Sequence, residues 1–78
     1  MQYILKDVAI GENIKNLRST RNLTQTQLVE QIQLMGSSMS RETLAQIESG
    51  RRNIKASDLK VLKDVLNTSY EVLFEEKE

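Results

Sequence analysis

Apolar residues recur at intervals of three and four along most of the chain, which is the spacing of helices that bury one face. This pattern predicts five short helices. The first is expected to begin after Asp7, whose side chain suits an N-cap, and to end near Arg21, since Asn22 favours the conformation that terminates helices. The stripe that this helix is expected to bury consists of Ile10, Ile14 and Leu17.

The second predicted helix has a well-defined start. Thr24 and Gln27 have the spacing of a capping box, in which each residue satisfies a backbone N–H of the other. Leu23 and Leu28 occupy the two positions of a hydrophobic staple. Gly36 is suited to the left-handed conformation at the end of the helix. We expect this helix to bury Leu28, Ile32 and Met35.

The same signals predict the other three helices. The third is expected to begin at Ser40 and to end at Gly50. The fourth is expected to have Ser57 as its N-cap and to end at residue 67 or 68, and the fifth to begin at residue 68 or 69. The side chains that these helices are expected to bury are Leu44, Ile47, Leu59, Leu62, Leu66, Val72, Leu73 and Phe74.

The composition removes most enzymatic and metal-binding functions. The chain has 78 residues and contains neither Cys nor His. It therefore lacks the usual zinc ligands, a thiol nucleophile and the commonest acid-base catalyst, and we expect no enzyme, no metal and no cofactor. A chain of this length has room for one small domain. Its longest apolar runs are three residues, as in Tyr3-Ile4-Leu5, so we expect no membrane span and a cytoplasmic protein.

The net charge is zero, but the charges are unevenly distributed. Residues 1–55 contain eight cationic and five anionic side chains, a net charge of +3, and residues 56–78 have a net charge of −3. Nucleic acids attract a positively charged surface, whereas an uneven distribution in a short chain is weak support by itself. The charge pattern therefore supports nucleic-acid binding only when a binding motif accompanies it.

The second and third predicted helices, joined by a turn, have the outline of a helix-turn-helix, whose second helix enters the major groove of DNA. The residue content resembles the Cro/lambda-repressor-like family, also called the Xre family, of bacterial and phage transcription regulators. The matching positions are Ile10, Gly11, Ile14, Leu17, Arg18, Leu23, Thr24, Gln25, Leu28, Ser40, Arg41, Leu44, Ile47, Glu48, Gly50, Arg52, Leu59, Leu62, Leu66 and residues 69–74.

The resemblance implies a compact all-α, five-helix, lambda-repressor-like domain over residues 9–74, with the helix-turn-helix formed by helices 2 and 3. Residues 1–8 are then an N-terminal extension and residues 75–78 an acidic C-terminal tail. The implied function is a sequence-specific double-stranded DNA-binding regulator, a repressor that binds an inverted-repeat operator as a homodimer. Such a protein is located in the bacterial cytoplasm, on the nucleoid when bound. The sequence does not identify an inducer.

By resemblance, the third helix is the recognition helix. The residues that it is expected to direct at base edges are Arg41, Glu42, Thr43 and Gln46. Their chemistry agrees, because Arg donates to guanine, Gln pairs with adenine and Glu accepts from cytosine. Phosphate contacts are expected from Gln25, Ser40, Arg51, Arg52 and Lys55.

Glu48 lies in the last turn of the predicted recognition helix, where a carboxylate meets the negative end of the helix dipole and needs a cationic partner. By resemblance that partner is Arg18, and the ion pair ties the recognition helix to the first helix. The chain departs from the family pattern by five additional residues, Gln33 to Ser37, before the third helix. We expect a longer second helix that moves the turn outward.

Two questions stay open at the level of sequence. The segment Tyr3 to Leu5 either folds back on the domain or contributes to a homodimer, for which the fifth helix, with Tyr70, Leu73 and Phe74, is the other candidate. The neutral charge and the inserted turn are also compatible with a different function. On this alternative, the scaffold is a protein-interaction module or an antitoxin-type protein that binds a partner.

Overall fold

A computed structural model of the protein describes residues 9–76. Within this range the fold consists of five α-helices and their connecting loops, so the predicted all-α, five-helix fold is confirmed. The helices are α1 (Ile10–Thr20), α2 (Gln25–Leu34), α3 (Arg41–Glu48), α4 (Ala56–Val65) and α5 (Tyr70–Leu73). None of these five has the length and apolar character needed to cross a membrane. The expectations for residues 1–8, 77 and 78 lie outside the described range.

Two residues after the last residue of each of the first four helices, the chain adopts the left-handed conformation. Asn22 and Asn67 have φ angles of 59° and 53°, and Gly36 and Gly50 have φ angles of 101° and 82°. In every case the next backbone N–H donates to the carbonyl oxygen five residues earlier, over 2.9–3.1 Å. This hydrogen bond closes a Schellman motif, and it confirms the predicted ends of α1 to α4.

Side chains cap three helices as predicted. Thr24 Oγ1 accepts from Gln27 N at 3.0 Å and Gln27 Oε1 accepts from Thr24 N at 2.9 Å, so the capping box of α2 is complete. Ser40 caps α3 by accepting from the backbone N–H three residues on, at 3.1 Å, and Ser69 caps α5 in the same way at 3.2 Å. These local bonds fix where α2, α3 and α5 begin.

Two predicted N-caps are wrong. α1 has Ala9 at the N-cap position rather than Asp7, which lies outside the described residues. The Ala9 side chain makes no capping bond, in contrast to the N-cap residues of α2, α3 and α5. α4 has Lys55 at the N-cap position rather than Ser57, which is already helical. Asp58 lies in the first turn of α4, where the helix dipole stabilises a carboxylate.

One apolar core receives side chains from every helix. Its buried members are Ile10, Ile14, Leu28, Val29, Ile32, Met39, Leu44, Ile47, Leu59, Leu62, Leu66 and Leu73. The half-buried side chains of Leu17, Leu23 and Phe74 pack against it. Burial of each large side chain is worth about 1.5–3 kcal/mol. Because α3 contributes to this core, its inner face is fixed against α1 and α2.

Two side chains of the predicted core are exposed. Met35 is 51% exposed because α2 ends at Leu34, where the chain turns away from the core. Val72 is 41% exposed because α5 is a single turn, in which consecutive side chains point about 100° apart. Leu73 is therefore the α5 residue that is fully buried, with Phe74 half-buried after it.

α1 makes two close contacts that position its neighbours. A Cβ atom at Gly11 would overlap the backbone carbonyl oxygen of Ile47 in α3, so the absence of a side chain allows the two helices to meet. The buried side chain of Asn13 donates from Nδ2 to the carbonyl oxygens of Leu73 and Glu75, at 2.8 and 2.9 Å. α1 is thereby packed against the end of α3 and bound to the end of α5.

Gly11→Ala is expected to lower the free energy of unfolding by about 1–3 kcal/mol, the range for overpacked interiors. The new methyl group meets backbone, which cannot move aside by changing a rotamer. This cost exceeds the gain of about 0.5–1 kcal/mol that Ala brings to a helix over Gly. Urea denaturation provides the measurement, with Asn16→Ala on the exposed side of α1 as the control. A Gly11→Ala protein as stable as the wild type would contradict the close approach.

Candidate nucleic-acid interface

The five additional residues seen in the sequence, Gln33 to Ser37, lie at the end of α2 and in the turn before α3. Gln33 and Leu34 extend α2, and the others lie in the turn. Ser37 Oγ donates to Asp58 Oδ1 of α4 at 3.0 Å and accepts from Met39 N at 3.0 Å. Gln33 Nε2 donates to the carbonyl oxygen of Met39 at 2.9 Å. These bonds anchor the inserted turn to α4 and to the end of α2, immediately before α3 begins.

α3 has a buried inner face and a polar outer face. Leu44, Ile47 and Glu48 are buried. Of the residues predicted to contact bases, Arg41, Glu42 and Gln46 are exposed and Thr43 is half-buried. Ser40, predicted to contact a phosphate, is exposed and donates to the hydroxyl oxygen of Thr43 at 3.1 Å. The predicted base-contacting side chains therefore lie on the side of α3 that faces away from the core.

A buried carboxylate joins α3 to the two preceding helices. Arg18 Nε donates to Glu48 Oε2 at 2.8 Å and Arg18 Nη2 donates to Glu48 Oε1 at 3.1 Å. The side chains are 13% and 3% exposed, so water screens this pair little. Arg18 Nη1 also donates to the carbonyl oxygen of Leu23 at 2.7 Å, in the turn before α2. The structure thus contains the ion pair implied by the family resemblance, with an additional bond to the α1–α2 turn.

Gln25 completes this network. Its Nε2 donates to Glu48 Oε1 at 2.9 Å, so the side-chain amide is bonded within the protein. Gln25 is the first residue of α2, where the initial backbone N–H groups have no partner within the helix and attract anions. A phosphate contact by Gln25 stays a prediction. Because the Gln25 side chain is half-buried, the backbone N–H groups at the start of α2 would contribute to such a contact together with it.

The loop after α3 carries the other predicted phosphate contacts. Arg51, Arg52 and Lys55 are all exposed. Arg51 Nε donates to Ser49 Oγ at 3.3 Å, and Arg52 Nη1 donates to Gln46 Oε1 at 3.3 Å. Arg51 and Arg52 therefore lie beside the C-terminal end of α3, and Arg52 touches a predicted base-contacting residue. Lys55 lies at the start of α4.

Sequence reasoning missed three features of this region. They are the contact between Gly11 and Ile47, the bond from Gln25 to Glu48 and the bond from Arg52 to Gln46. Each joins residues from different helices or from a helix and a loop, so no local spacing reveals it. A small residue within a helical stripe was the one available signal for the close approach at Gly11.

A model of the helix-turn-helix domain family matches residues 11–75 of the chain. The match includes nearly all of the described helices, so the protein belongs to the helix-turn-helix domain family. It is a DNA-binding helix-turn-helix protein, in which α2 and α3 form the motif. No curated protein and no solved structure matches the chain.

Arg18→Ala is expected to lower the free energy of unfolding by about 3–5 kcal/mol, because it leaves the buried Glu48 carboxylate without its cation. Arg21→Ala, at the exposed end of the same helix, is the matched control and is expected to cost less than about 1 kcal/mol. The measurement is denaturant unfolding of both variants and of the double variant Arg18→Ala/Glu48→Ala. The double variant should lose less than the sum of the single losses. Equal free energies of unfolding for Arg18→Ala and Arg21→Ala would show that the Arg18–Glu48 pair is not needed for the stability of the fold.

Proposed function

We propose that the protein is a sequence-specific transcription regulator of the Cro/lambda-repressor-like (Xre) type, which binds double-stranded DNA through α3. The observation that carries the proposal is the outer face of α3, where Arg41, Glu42 and Gln46 are exposed while the opposite face is fixed by the core and by the Arg18–Glu48 pair. A rigid helix with a polar outer face fits the major groove. Repression then follows from occupation of an operator, which excludes polymerase.

The chemistry of the outer face supports base recognition as well as general DNA affinity. Arg41 can donate two hydrogen bonds to guanine, and Gln46 has both a donor and an acceptor. Glu42 repels phosphates, so it contributes by accepting from cytosine or by orienting a neighbouring side chain. A surface that bound only the DNA backbone would gain nothing from this carboxylate. Its exposure beside Arg41 therefore favours a sequence-specific function.

Phosphate contacts fix the position of such a helix on the duplex. The candidates for these contacts are the exposed cationic side chains in the loop after α3 and the N-terminal end of α2. These groups are suited to contact the phosphates of the two DNA strands that border the major groove. The neutral net charge is then not an obstacle, because four exposed cations, Arg41, Arg51, Arg52 and Lys55, lie on α3 or in the segment that follows it.

We further propose that the regulator acts as a homodimer on an inverted repeat, with half-sites about 34–36 Å apart. α5 exposes Tyr70 and Val72. Tyr70 also lines a shallow groove of about 380 Å³, together with Ala56, Leu59, Glu71 and Phe74. This largely apolar surface, rather than the segment before α1, is our candidate for the contact between two copies.

Selection of bound duplexes from a random pool is expected to recover an inverted repeat, and affinity should fall steeply with salt concentration. Arg41→Ala should relax the preference at one position of each half-site, by about 1–3 kcal/mol. Lys55→Ala should instead weaken all duplexes alike and reduce the slope of log K against log salt by about 1. Competition binding measures both effects. Identical base-preference profiles for the two variants would contradict the assigned roles.

Val72→Glu is expected to convert the dimer to a monomer without unfolding it, because the side chain is exposed and the new charge opposes burial between two copies. Light scattering measures the mass, and circular dichroism checks that the helices persist. Deletion of residues 1–6 is the companion variant and should leave the dimer intact. A monomeric deletion variant together with a dimeric Val72→Glu protein would assign the interface to the N-terminal segment instead.

Binding of a partner protein is the second candidate function, supported by the exposed apolar pair in the extended part of α2. Leu34 is 88% exposed and Met35 follows it in the turn. Binding through such side chains depends weakly on salt, whereas DNA binding is strongly salt-dependent. The salt titration described above therefore separates the two functions.

A further inference from the structure

Arg52 and Gln46 form a contact that links a predicted phosphate-binding side chain to a predicted base-contacting one. Arg52 Nη1 donates to Gln46 Oε1 at 3.3 Å. Gln46 lies in the second half of α3, and Arg52 lies in the following loop, which the left-handed Gly50 folds back towards the helix. Both side chains are exposed and lie beside the outer face of α3.

The contact determines which end of the Gln46 amide is held. A guanidinium group carries only donors, so the atom of the amide that faces Arg52 must be the oxygen. The NH₂ group of Gln46 then points away from Arg52. A free Gln side chain can turn over and present either end to a base, whereas Gln46 presents its donor end.

The bases differ in what they offer to such a donor. Guanine presents two acceptors, N7 and O6, in the major groove, whereas adenine pairs with Gln in a bidentate manner only when the amide oxygen accepts from N6. The Arg52 guanidinium takes one of the two lone pairs of that oxygen. It also places a positive charge beside the amide, which attracts the guanine acceptors and repels the amino group of adenine.

We propose that Arg52 is a positioning residue for sequence recognition, which holds the Gln46 amide so that it selects guanine over adenine. This inference rests on the proposed function of α3 as the recognition helix. The remaining N–H groups of the guanidinium stay available for a phosphate, so a single side chain links the position of the DNA backbone to the choice of one base. Arg52 thereby affects specificity without touching a base.

The chain supplies a matched control. Arg51 precedes Arg52, is equally exposed and carries the same charge, but its Nε donates to Ser49 Oγ rather than to a base-contacting side chain. Arg51→Met and Arg52→Met remove the same charge and retain a chain of similar length. A purely electrostatic role predicts the same effect for both variants.

The test begins with selection of bound duplexes by the wild-type protein, followed by competition binding to operators that carry each of the four bases at every position. The position contacted by Gln46 is the one at which Gln46→Ala loses its preference. We expect the wild type to prefer guanine there on the order of tenfold over adenine, and Arg52→Met to reduce this ratio below about threefold. Arg51→Met should lower affinity for all operators by one factor and leave the ratio unchanged.

The double variant Gln46→Ala/Arg52→Met shows whether Arg52 acts through Gln46. Relative to Gln46→Ala, it should lose affinity uniformly, with no further change in base preference. A uniform loss for Arg52→Met in the wild-type background, an adenine preference in the wild type or an unchanged preference in Gln46→Ala would each overturn the inference while specific DNA binding stands. A random pool from which no duplex is enriched would overturn the proposed function itself.

Discussion

The carboxylate of Glu48 is the group on which the placement of the recognition helix depends. It is buried in the last turn of α3, where the helix dipole disfavours a negative charge. It is stable there because Arg18 and Gln25 supply three hydrogen bonds from α1 and α2. Desolvation offsets much of the attraction in such a pair. Its main effect is therefore geometric, because one arrangement of the three helices satisfies the charge and others leave it unpaired.

Two further contacts restrict α3 in the same way. The helix has eight residues, too few to be stable without packing. Gly11 allows its last turn to meet the backbone of α1, and the Ser37–Asp58 bond holds the inserted turn at its start. Both ends of α3 are thus held by contacts that do not involve its outer face, and the outer face stays unobstructed. The additional residues before α3 extend α2 and bind α4, and so lengthen the motif without covering the polar face.

Sequence patterns predicted those helix starts and ends that depend on residues close together in the chain. The left-handed ends at Asn22 and Gly36 and the capping box at Thr24 follow from the chemistry of a few adjacent side chains. Sequence patterns failed at Ser57, which is already helical in α4. The first turn of α4 is bound by a distant residue, because Ser37 Oγ donates to Asp58 Oδ1, and no local spacing predicts that contact. Met35 fits the apolar period of α2, but the helix has already ended there. The partners of the predicted site residues lie on other helices or loops, and periodicity alone does not reveal such partners.

The position of the acidic residues follows from α1. Gly11 faces α3 and Asn13 binds the end of α5, and residues two apart in a helix point about 200° apart. α3 and the end of α5 therefore lie on nearly opposite sides of α1. The exposed Glu75 and Glu76 follow α5 on the side remote from the recognition helix. The exposed cations Arg51 and Arg52 directly follow α3, whereas the exposed carboxylates of Glu75 and Glu76 follow α5. These two carboxylates repel DNA, so their position beyond α5 is compatible with the proposed orientation, in which α3 meets the groove.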